Sequence, residues 1–242
     1  MAGATSWDAA GLSQADLMHK DECVVVDEQD AVVGHASKWA CHRFEEATPA
    51  GVLHRAFSVF LFDAHGRLLL QQRAREKITF PEVWTNTCCS HPLFGYEPTE
   101  VDGPEAIAAG EVPGAKRAAV RKLLHELGIE PAALPTDSFK FLTRLHYCAK
   151  DADKEWGEHE VDHILFAQAS VELKPNPEEV MAVKYVTAEE LEEMMRPESG
   201  LKWSPWFRII AREFLPKWWA DLKLTLTTDT HLDVATVHRL EP

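Results

Sequence analysis

The apolar and polar positions of the chain predict six strands, four of them in two successive pairs. A polar turn separates the first two runs, and Asp-Ala-His-Gly at 63–66 suits a tight hairpin between the next two. The predicted strands cover residues 23–26, 31–33, 55–62, 67–73, 139–147 and 161–167.

Three other segments have the spacing of helices. Between 114 and 127 apolar residues recur every three or four positions, and Gly128 stands where a helix usually ends. Residues 187–190 form a capping box before a short helix, and Ser204 with Pro205 begins another amphipathic helix. Strands interleaved with helices, without a regular β-α-β alternation, predict an α/β (α+β) fold whose mixed central sheet has helices on both faces.

The length of 242 residues favours one large domain. We expect a flexible N-terminal arm over residues 1–20, a single domain over 21–220 and a C-terminal tail over 221–242. The glycines and prolines of residues 92–113 predict a long irregular insertion at the surface.

The chain carries 25 basic and 39 acidic side chains, a net charge of −14. This balance argues against a nucleic-acid partner, because such proteins use Lys and Arg to displace counterions from phosphates. An anionic small substrate would therefore need a local cluster of cations or a metal. No apolar run is long enough to predict a membrane span. We expect a monomer.

Five cysteines, two of them adjacent, do not suggest a disulfide framework. They favour a reducing compartment, either the cytoplasm or a plastid. The first twenty residues lack the basic flank and apolar run of a signal peptide, so we expect no targeting peptide in this sequence.

The first candidate for chemistry is the polar segment TNTCCSHP at 85–92. One interpretation is a turn with buried thiols. The other is a nucleophilic or basic thiol, with its pKa lowered by a neighbouring cation, beside a metal-ligating imidazole.

The second candidate is the acidic segment EWGEHEVD at 155–162. In a strand Glu158 and Glu160 point to one face, about 7 Å apart, and repel each other unless they share a cation or a proton. Such a run is also compatible with a solvated edge. The apolar residues that follow imply that the strand enters the core and carries both carboxylates at its rim.

Histidines and cations form the remaining candidates. His42, His54 and His91 together with the two glutamates would form a mixed nitrogen and oxygen set suited to Zn, Mn, Mg or Fe, although no local motif forces them together. Lys38 and the basic residues of 73–77 are either a solvated face or a site for a phosphate group.

Several segments, in order, make the chain similar to the type I isopentenyl-diphosphate isomerases of the Nudix superfamily from about residue 21 to 219. The matching segments are LHRAFSVFLF (53–62), KITFP (77–81), WTNTCCSHP (84–92), HELGI (125–129), WGEHE (156–160) and SPWF (204–207). The resemblance implies a Nudix-like α/β/α sandwich.

The resemblance also implies roles for individual residues. The implied ligands of a divalent metal are His42, His54, His91, Glu158 and Glu160. The implied catalytic residues are Cys89, Glu160 and Tyr147. The implied substrate contacts are Lys38, Arg73, Lys77 and Ser90 for the diphosphate, and Trp206 for the hydrocarbon. Glu126 matches a carboxylate that helps to hold Mg2+ against the diphosphate.

The implied reaction is the reversible conversion of isopentenyl diphosphate to dimethylallyl diphosphate, a small-molecule substrate pair, through a tertiary carbocation. The implied cofactor is Mg2+, with Mn2+ or Zn2+ also suited to the histidine and glutamate set.

A Nudix-type diphosphate hydrolase is the alternative. The hydrolase box maps approximately onto residues 114–129, but Lys122 and His125 occupy glutamate positions and Glu126 remains. Without those carboxylates the helix cannot assemble the metal cluster that activates water, which disfavours hydrolysis. A non-enzymatic metal-binding or scaffold protein is the third hypothesis.

Overall fold

The computed structural model of the protein describes residues 7–151 and 155–240. The strands are β1 (Glu22–Val26), β2 (Val32–Ser37), β3 (His54–Phe62), β4 (Leu68–Arg73), β5 (Trp84–Thr85), β6 (Cys88–Ser90), β7 (Lys140–Lys150), β8 (Gly157–Gln168), β9 (Val180–Val186) and β10 (Val237–Arg239). The α-helices are α1 (Gln14–Lys20), α2 (Lys38–His42), α3 (Pro104–Ala108), α4 (Pro113–Leu127), α5 (Ala188–Met195), α6 (Pro205–Glu213), α7 (Leu215–Ala220) and α8 (Leu222–Thr227). Short 3-10 helices lie at Thr136–Ser138 and Pro197–Ser199.

Strand β3 organises the sheet because both of its edges are paired. On one edge β3 runs parallel to β8, β8 pairs antiparallel with β7, and β7 pairs in parallel with β10. On the other edge β1, β6 and β4 pair with successive parts of β3, and β4 continues to β5 and β9. These pairings confirm the predicted mixed sheet.

Because β3 is buried on both faces, it is an almost continuous apolar run. Phe57, Val59 and Leu61 belong to the core shared with α4. Phe60 and Phe62 belong to the core shared with α6 and α7. Helices therefore cover both faces of the sheet, which confirms the predicted α/β/α sandwich.

The N-terminal segment differs from the predicted flexible arm. Ser13 and Asp16 form a capping box at the start of α1, and Leu17 and Met18 of that helix are buried. Burial of these two side chains holds helix α1 against the domain, and the division of the chain at residue 20 stays a prediction. Residues 1–6 of the predicted arm lie outside the described residues.

The predicted C-terminal tail also adds to the domain. Strand β10 pairs in parallel with β7, with Val237 opposite Arg144, and thereby covers an edge that would otherwise expose unpaired backbone groups. In α8 the buried Thr225 donates a hydrogen bond to Trp218 O at 2.6 Å. Residues of the predicted tail therefore contact the domain, and the boundary expected at residue 220 stays a prediction.

The insertion at 92–113 carries buried polar groups and is more than the expected surface loop. Asp102 accepts hydrogen bonds from the backbone nitrogens of Gly114 and Ala115 at 2.6 and 2.9 Å, which satisfies free donors at the start of α4. A Cβ atom at Gly114 would lie 2.3 Å from Glu100 O, so only glycine fits there. The insertion thus anchors α4.

Candidate active site

Five side chains predicted as metal ligands converge inside the protein. His42 ends α2, His54 begins β3, His91 follows β6, and Glu158 and Glu160 lie on β8. The pairing of β3 with β8 places His54 beside Glu160. One nitrogen or oxygen atom from each of the five lies within 4.8 Å of the others, and all five side chains are buried.

Backbone carbonyls determine where two of these imidazoles carry their proton. His42 Nδ1 donates to Lys38 O at 2.6 Å, and His54 Nδ1 donates to Val52 O at 2.8 Å. Because a carbonyl only accepts, each Nε2 of the neutral ring presents a lone pair. Burial, with a further contribution from His42, lowers the pKa of His54 to about 3, which keeps that ring neutral.

Two of the three Nε2 atoms lie next to carboxylate oxygens. His42 Nε2 lies 2.8 Å from Glu158 Oε2, and His91 Nε2 lies 2.8 Å from Glu160 Oε1. His54 Nε2 is buried and has no hydrogen-bond partner among the described residues. Two acceptors this close attract each other only when a proton or cation lies between them. Three imidazole nitrogens and two carboxylates therefore fit a divalent metal.

The two glutamates have pKa values shifted in opposite directions. Burial raises the pKa of Glu160 well above its usual range, and Glu158 and Asp162 raise it further. Burial also acts to raise the pKa of Glu158. A proton held between His42 and Glu158, together with the hydroxyl of Thr79, which donates to Glu158 Oε1 at 2.7 Å, nevertheless brings the pKa of Glu158 below its usual range. The two neighbouring carboxyl groups therefore bind a proton with very different affinities.

Tyr147 supplies a hydrogen bond to Glu160. It lies on β7 directly opposite Glu160, and its hydroxyl donates to Glu160 Oε2. Burial, together with the charge of Glu160, raises the pKa of Tyr147 well above its usual range. Tyr147 is therefore a phenol that donates a proton or a hydrogen bond.

The adjacent cysteines point to opposite faces of the sheet, because side chains alternate along a strand. Cys89 pairs with Ser58 and lies on the face covered by α6. Cys88 is fully buried on the face covered by α4, with its Sγ 3.4 Å from Glu126 Oε2. Cys89, and not Cys88, lines a cavity with Glu160.

The thiol of Cys89 is neutral. Burial raises the pKa of Cys89 to about 12, and Arg73, whose Nη1 lies 3.9 Å from Sγ, offsets only part of this effect. The sequence-based expectation of a lowered thiol pKa is wrong here, because the cost of desolvating a thiolate outweighs the attraction of one guanidinium.

The predicted catalytic and substrate-binding residues surround one cavity of about 30 Å³. Its lining residues are Lys38, Arg73, Lys77, Thr79, Cys89, Ser90, His91, Tyr147, Glu158, Glu160 and Trp206. The cavity therefore combines positive charge, proton-carrying groups and an aromatic wall. Of the predicted site residues, His42, His54 and Glu126 are absent from this lining.

Two backbone carbonyls next to a strained residue hold the Arg73 side chain in place. Its Nε donates to Phe80 O at 2.9 Å and its Nη2 donates to Thr79 O at 2.8 Å. Phe80 has a φ of 44°, in the left-handed region that a bulky residue rarely adopts. A strained backbone conformation persists only where the surrounding structure imposes it. Here the conformation of Phe80 directs the carbonyl groups of Thr79 and Phe80 toward the guanidinium group of Arg73.

Trp206 is held by a residue absent from the predicted site. Trp206 Nε1 donates to Asn86 Oδ1 at 3.2 Å, and the guanidinium carbon of Arg73 lies 5.7 Å from the centre of the Trp206 ring. Asn86 and Thr79 were not predicted as site residues, although both lie inside segments that carry the family resemblance, a signal that could have found them.

Glu126 lies apart from the five-residue cluster, on the α4 side of the sheet. Its Oε1 is 3.2 Å from Lys122 Nζ and 3.8 Å from Lys77 Nζ, and its Oε2 accepts from Gln71 Nε2 at 3.0 Å. Lys77 connects Glu126 to the cavity. Glu126 is therefore no sixth member of the histidine cluster, and its role toward a diphosphate-bound Mg2+ stays a prediction.

Comparison with known proteins identifies the class. Residues 52–207 match the NUDIX domain family. The crystal structure of DR0079 from Deinococcus radiodurans superposes with a TM-score of 0.51, covering 80% of this chain and 99% of that chain. At 18% identity this likeness concerns the fold alone. The fold and the sequence match together define a NUDIX domain protein.

Curated relatives are much more similar in sequence. The chloroplastic isopentenyl-diphosphate Delta-isomerase II of Arabidopsis thaliana is 48% identical over 231 residues, 94% of this chain and 78% of that protein. The isopentenyl-diphosphate delta-isomerase of Schizosaccharomyces pombe is 52% identical over 205 residues, 84% of this chain and 85% of that protein. The chain belongs to the isopentenyl-diphosphate delta-isomerase family.

Proposed function

We propose that this protein interconverts isopentenyl and dimethylallyl diphosphate by an allylic proton shift. One observation carries the proposal: Cys89, Glu160 and Tyr147 line the same small cavity, beside three cationic side chains and a tryptophan. An allylic shift needs one group that gives a proton and another that takes one, on a substrate held between them.

The shift moves two protons and leaves the composition of the substrate unchanged. A proton adds to the terminal alkene carbon and produces a tertiary carbocation, and a second proton leaves the carbon on the diphosphate side. Glu160, assisted by Tyr147, and Cys89 are the pair proposed to exchange the roles of acid and base between the two directions. When bound, the divalent metal supplies positive charge at the histidines and glutamates.

Two features protect the carbocation. The face of the Trp206 ring attracts positive charge, worth about 2 kcal/mol in a site without water. Trp206 is 3% exposed, and the cavity that it lines is small, so water that would trap the cation is kept away.

Positive side chains of the cavity are proposed to bind the diphosphate. Arg73 contributes forked hydrogen bonds, Lys38 and Lys77 contribute point charges, and Ser90 contributes a hydroxyl. A chain with a net charge of −14 needs such a local cluster to attract an anion.

The identity of the metal and the cellular setting are proposals of the same kind. Imidazole and carboxylate ligands suit Mg2+, Mn2+ or Zn2+. All five cysteines are free thiols, which supports a reducing compartment such as the cytoplasm or a plastid. Among the described helices, none has the length and apolar character needed to cross a membrane. A monomer remains our expectation.

Incubation of isopentenyl diphosphate with the protein and Mg2+ in heavy water tests the proposal. The expected product is dimethylallyl diphosphate with deuterium in a methyl group. Release of phosphate without isomerisation would favour the hydrolase instead. Unchanged substrate without deuterium would contradict both and favour a non-enzymatic metal-binding protein.

A further inference from the structure

A second charged cluster lies against the cavity. Lys77 and Lys122 face Glu126 and Glu179, and the four side chains are 9%, 5%, 1% and 1% exposed, respectively. Two ammonium groups and two carboxylates leave this cluster without net charge. Buried charges are tolerated when they are paired in this way, and removal of one partner leaves an uncompensated charge.

Glu126 and Glu179 differ in how many of their carboxylate oxygens have a hydrogen-bond partner. Glu126 Oε1 is buried without a hydrogen-bond partner in the described part of the chain, although both lysines lie within 4 Å of it. This oxygen is available to a cation that accompanies a substrate.

Both oxygens of Glu179 are engaged. Glu179 Oε2 accepts a hydrogen bond from Lys77 and lies 3.8 Å from Lys122 Nζ. Glu179 Oε1 accepts from Gln14 Nε2 at 2.8 Å and lies 3.5 Å from His125 Nδ1. These neighbours come from the loop after β4, from α4 and from α1, so Glu179 ties three parts of the fold together.

We propose that Glu179 is a positioning residue that holds the ammonium groups of Lys77 and its neighbour Lys122 in place, so that Lys77 is ready for the diphosphate. The inference rests on the proposed role of Lys77 as a diphosphate contact. Lys77 lines the cavity, whereas Glu179 lines the neighbouring groove beside α1 and acts through the lysines. A flexible lysine that is already ordered binds an anion more tightly, because less conformational freedom is lost on binding.

Glu179→Gln removes the charge with little change of shape, and Glu178→Gln is the matched control, because Glu178 is its exposed neighbour. We expect the KM for isopentenyl diphosphate to rise at least about tenfold in Glu179→Gln while kcat changes by less than about threefold. The dissociation constant of inorganic pyrophosphate, measured by calorimetry in EDTA, should rise by the same factor. Glu178→Gln should match the wild type.

The pyrophosphate measurement separates the possible outcomes. If the wild type binds pyrophosphate and Glu179→Gln binds it equally well, Glu179 does not position the lysines. Tighter binding by the variant would also overturn the inference, because Glu179 would then compete with the diphosphate. A wild type that neither binds pyrophosphate nor isomerises the substrate would instead contradict the proposed function.

If Glu179→Gln does not fold, Glu179→Asp is measured in its place. It keeps the charge and withdraws the carboxylate by one carbon. We expect a smaller rise in the same two constants, with the thermal midpoint recording whether the variant is folded. Wild-type constants in a folded Glu179→Asp would overturn the inference in that case.

Discussion

Two buried charged clusters lie on opposite sides of the central sheet, and they differ in the groups that face their carboxylates. In the histidine and glutamate cluster, lone pairs face carboxylates, as between His42 and Glu158 at 2.8 Å. In the other cluster, ammonium groups face carboxylates, as between Lys122 and Glu126 at 3.2 Å. The first cluster has room for a divalent cation between its nitrogen and oxygen atoms, whereas the carboxylates of the second are already paired with ammonium groups.

This difference separates an isomerase from a hydrolase. Lys122 lies on α4 at a position where the hydrolase box has a glutamate, and its ammonium group lies 3.2 Å from Glu126 Oε1. Helix α4 itself therefore carries one carboxylate, Glu126, and does not assemble the metal cluster that activates water in the hydrolases. The divalent metal site predicted for this protein lies instead on the other side of the sheet, next to Cys89.

The largest loss of activity is expected when Cys89, which lies on the same side of the sheet as the histidine and glutamate cluster, is replaced. Cys89→Ala should lower isomerase activity at least about a thousandfold, because it removes one of the two proposed proton-transfer groups. Cys88→Ala is the control, since Cys88 packs on the other side against Glu126. Steady-state product formation gives the activity of each variant, and metal analysis gives its metal content. Equal activity in the two would mean that the wrong thiol was assigned.

Removal of a metal ligand should have the next largest effect. His42→Ala should weaken divalent metal binding at least about tenfold and lower activity with it, because the Nε2 lone pair beside Glu158 is lost. Metal analysis after dialysis against Mn2+ or Zn2+ measures the loss, with Glu178→Gln as the control. Unchanged metal content would remove His42 from the ligand set.

A smaller, selective effect is expected on the other side of the sheet. Glu126→Gln should raise the Mg2+ concentration for half-maximal activity by about three- to tenfold, because the open Oε1 loses its charge. The content of metal at the histidine cluster should not change, which distinguishes the two clusters. The predicted role of Glu126 would be wrong if its Mg2+ dependence matched that of the wild type.

The smallest effect concerns pH. In the metal-free protein burial lowers the pKa of His54 to about 3, below the 6.5 that is usual for histidine. Between these values the unfolded chain binds a proton that the folded chain does not, so the free energy of unfolding falls as the pH is lowered. The urea concentration at the midpoint of unfolding should fall between about pH 7.5 and about pH 5. This fall should be smaller in His54→Gln than in the wild type. An identical difference would exclude His54 as the source.

Elements that follow from neighbouring residues were predictable from the sequence. The hairpin between β3 and β4 forms because Asp63 Oδ1 accepts hydrogen bonds from the backbone nitrogens of His65 and Arg67, at 2.8 and 2.9 Å, and Gly66 adopts a φ of 74°. Helix α4 ends at Gly128 for the same local reason.

Elements that depend on distant partners were not predictable. Strand β10 has three residues, and it forms because β7 offers it an edge more than ninety residues away in sequence. Strand β9 forms against β4 in the same way. In α1 the capping box is local, but the burial of Leu17 and Met18 depends on the rest of the domain.

By itself the sequence determined the residue types of the site, through the resemblance. The pairing of β6 with β3, which turns Cys88 and Cys89 to opposite faces, belongs to the tertiary structure. Only the tertiary structure decided that Glu126 stands with lysines rather than histidines, and that Cys89 is a neutral thiol. The reason is physical: a protonation state depends on burial and on charges brought from remote strands and helices, and no local pattern of residues contains that information.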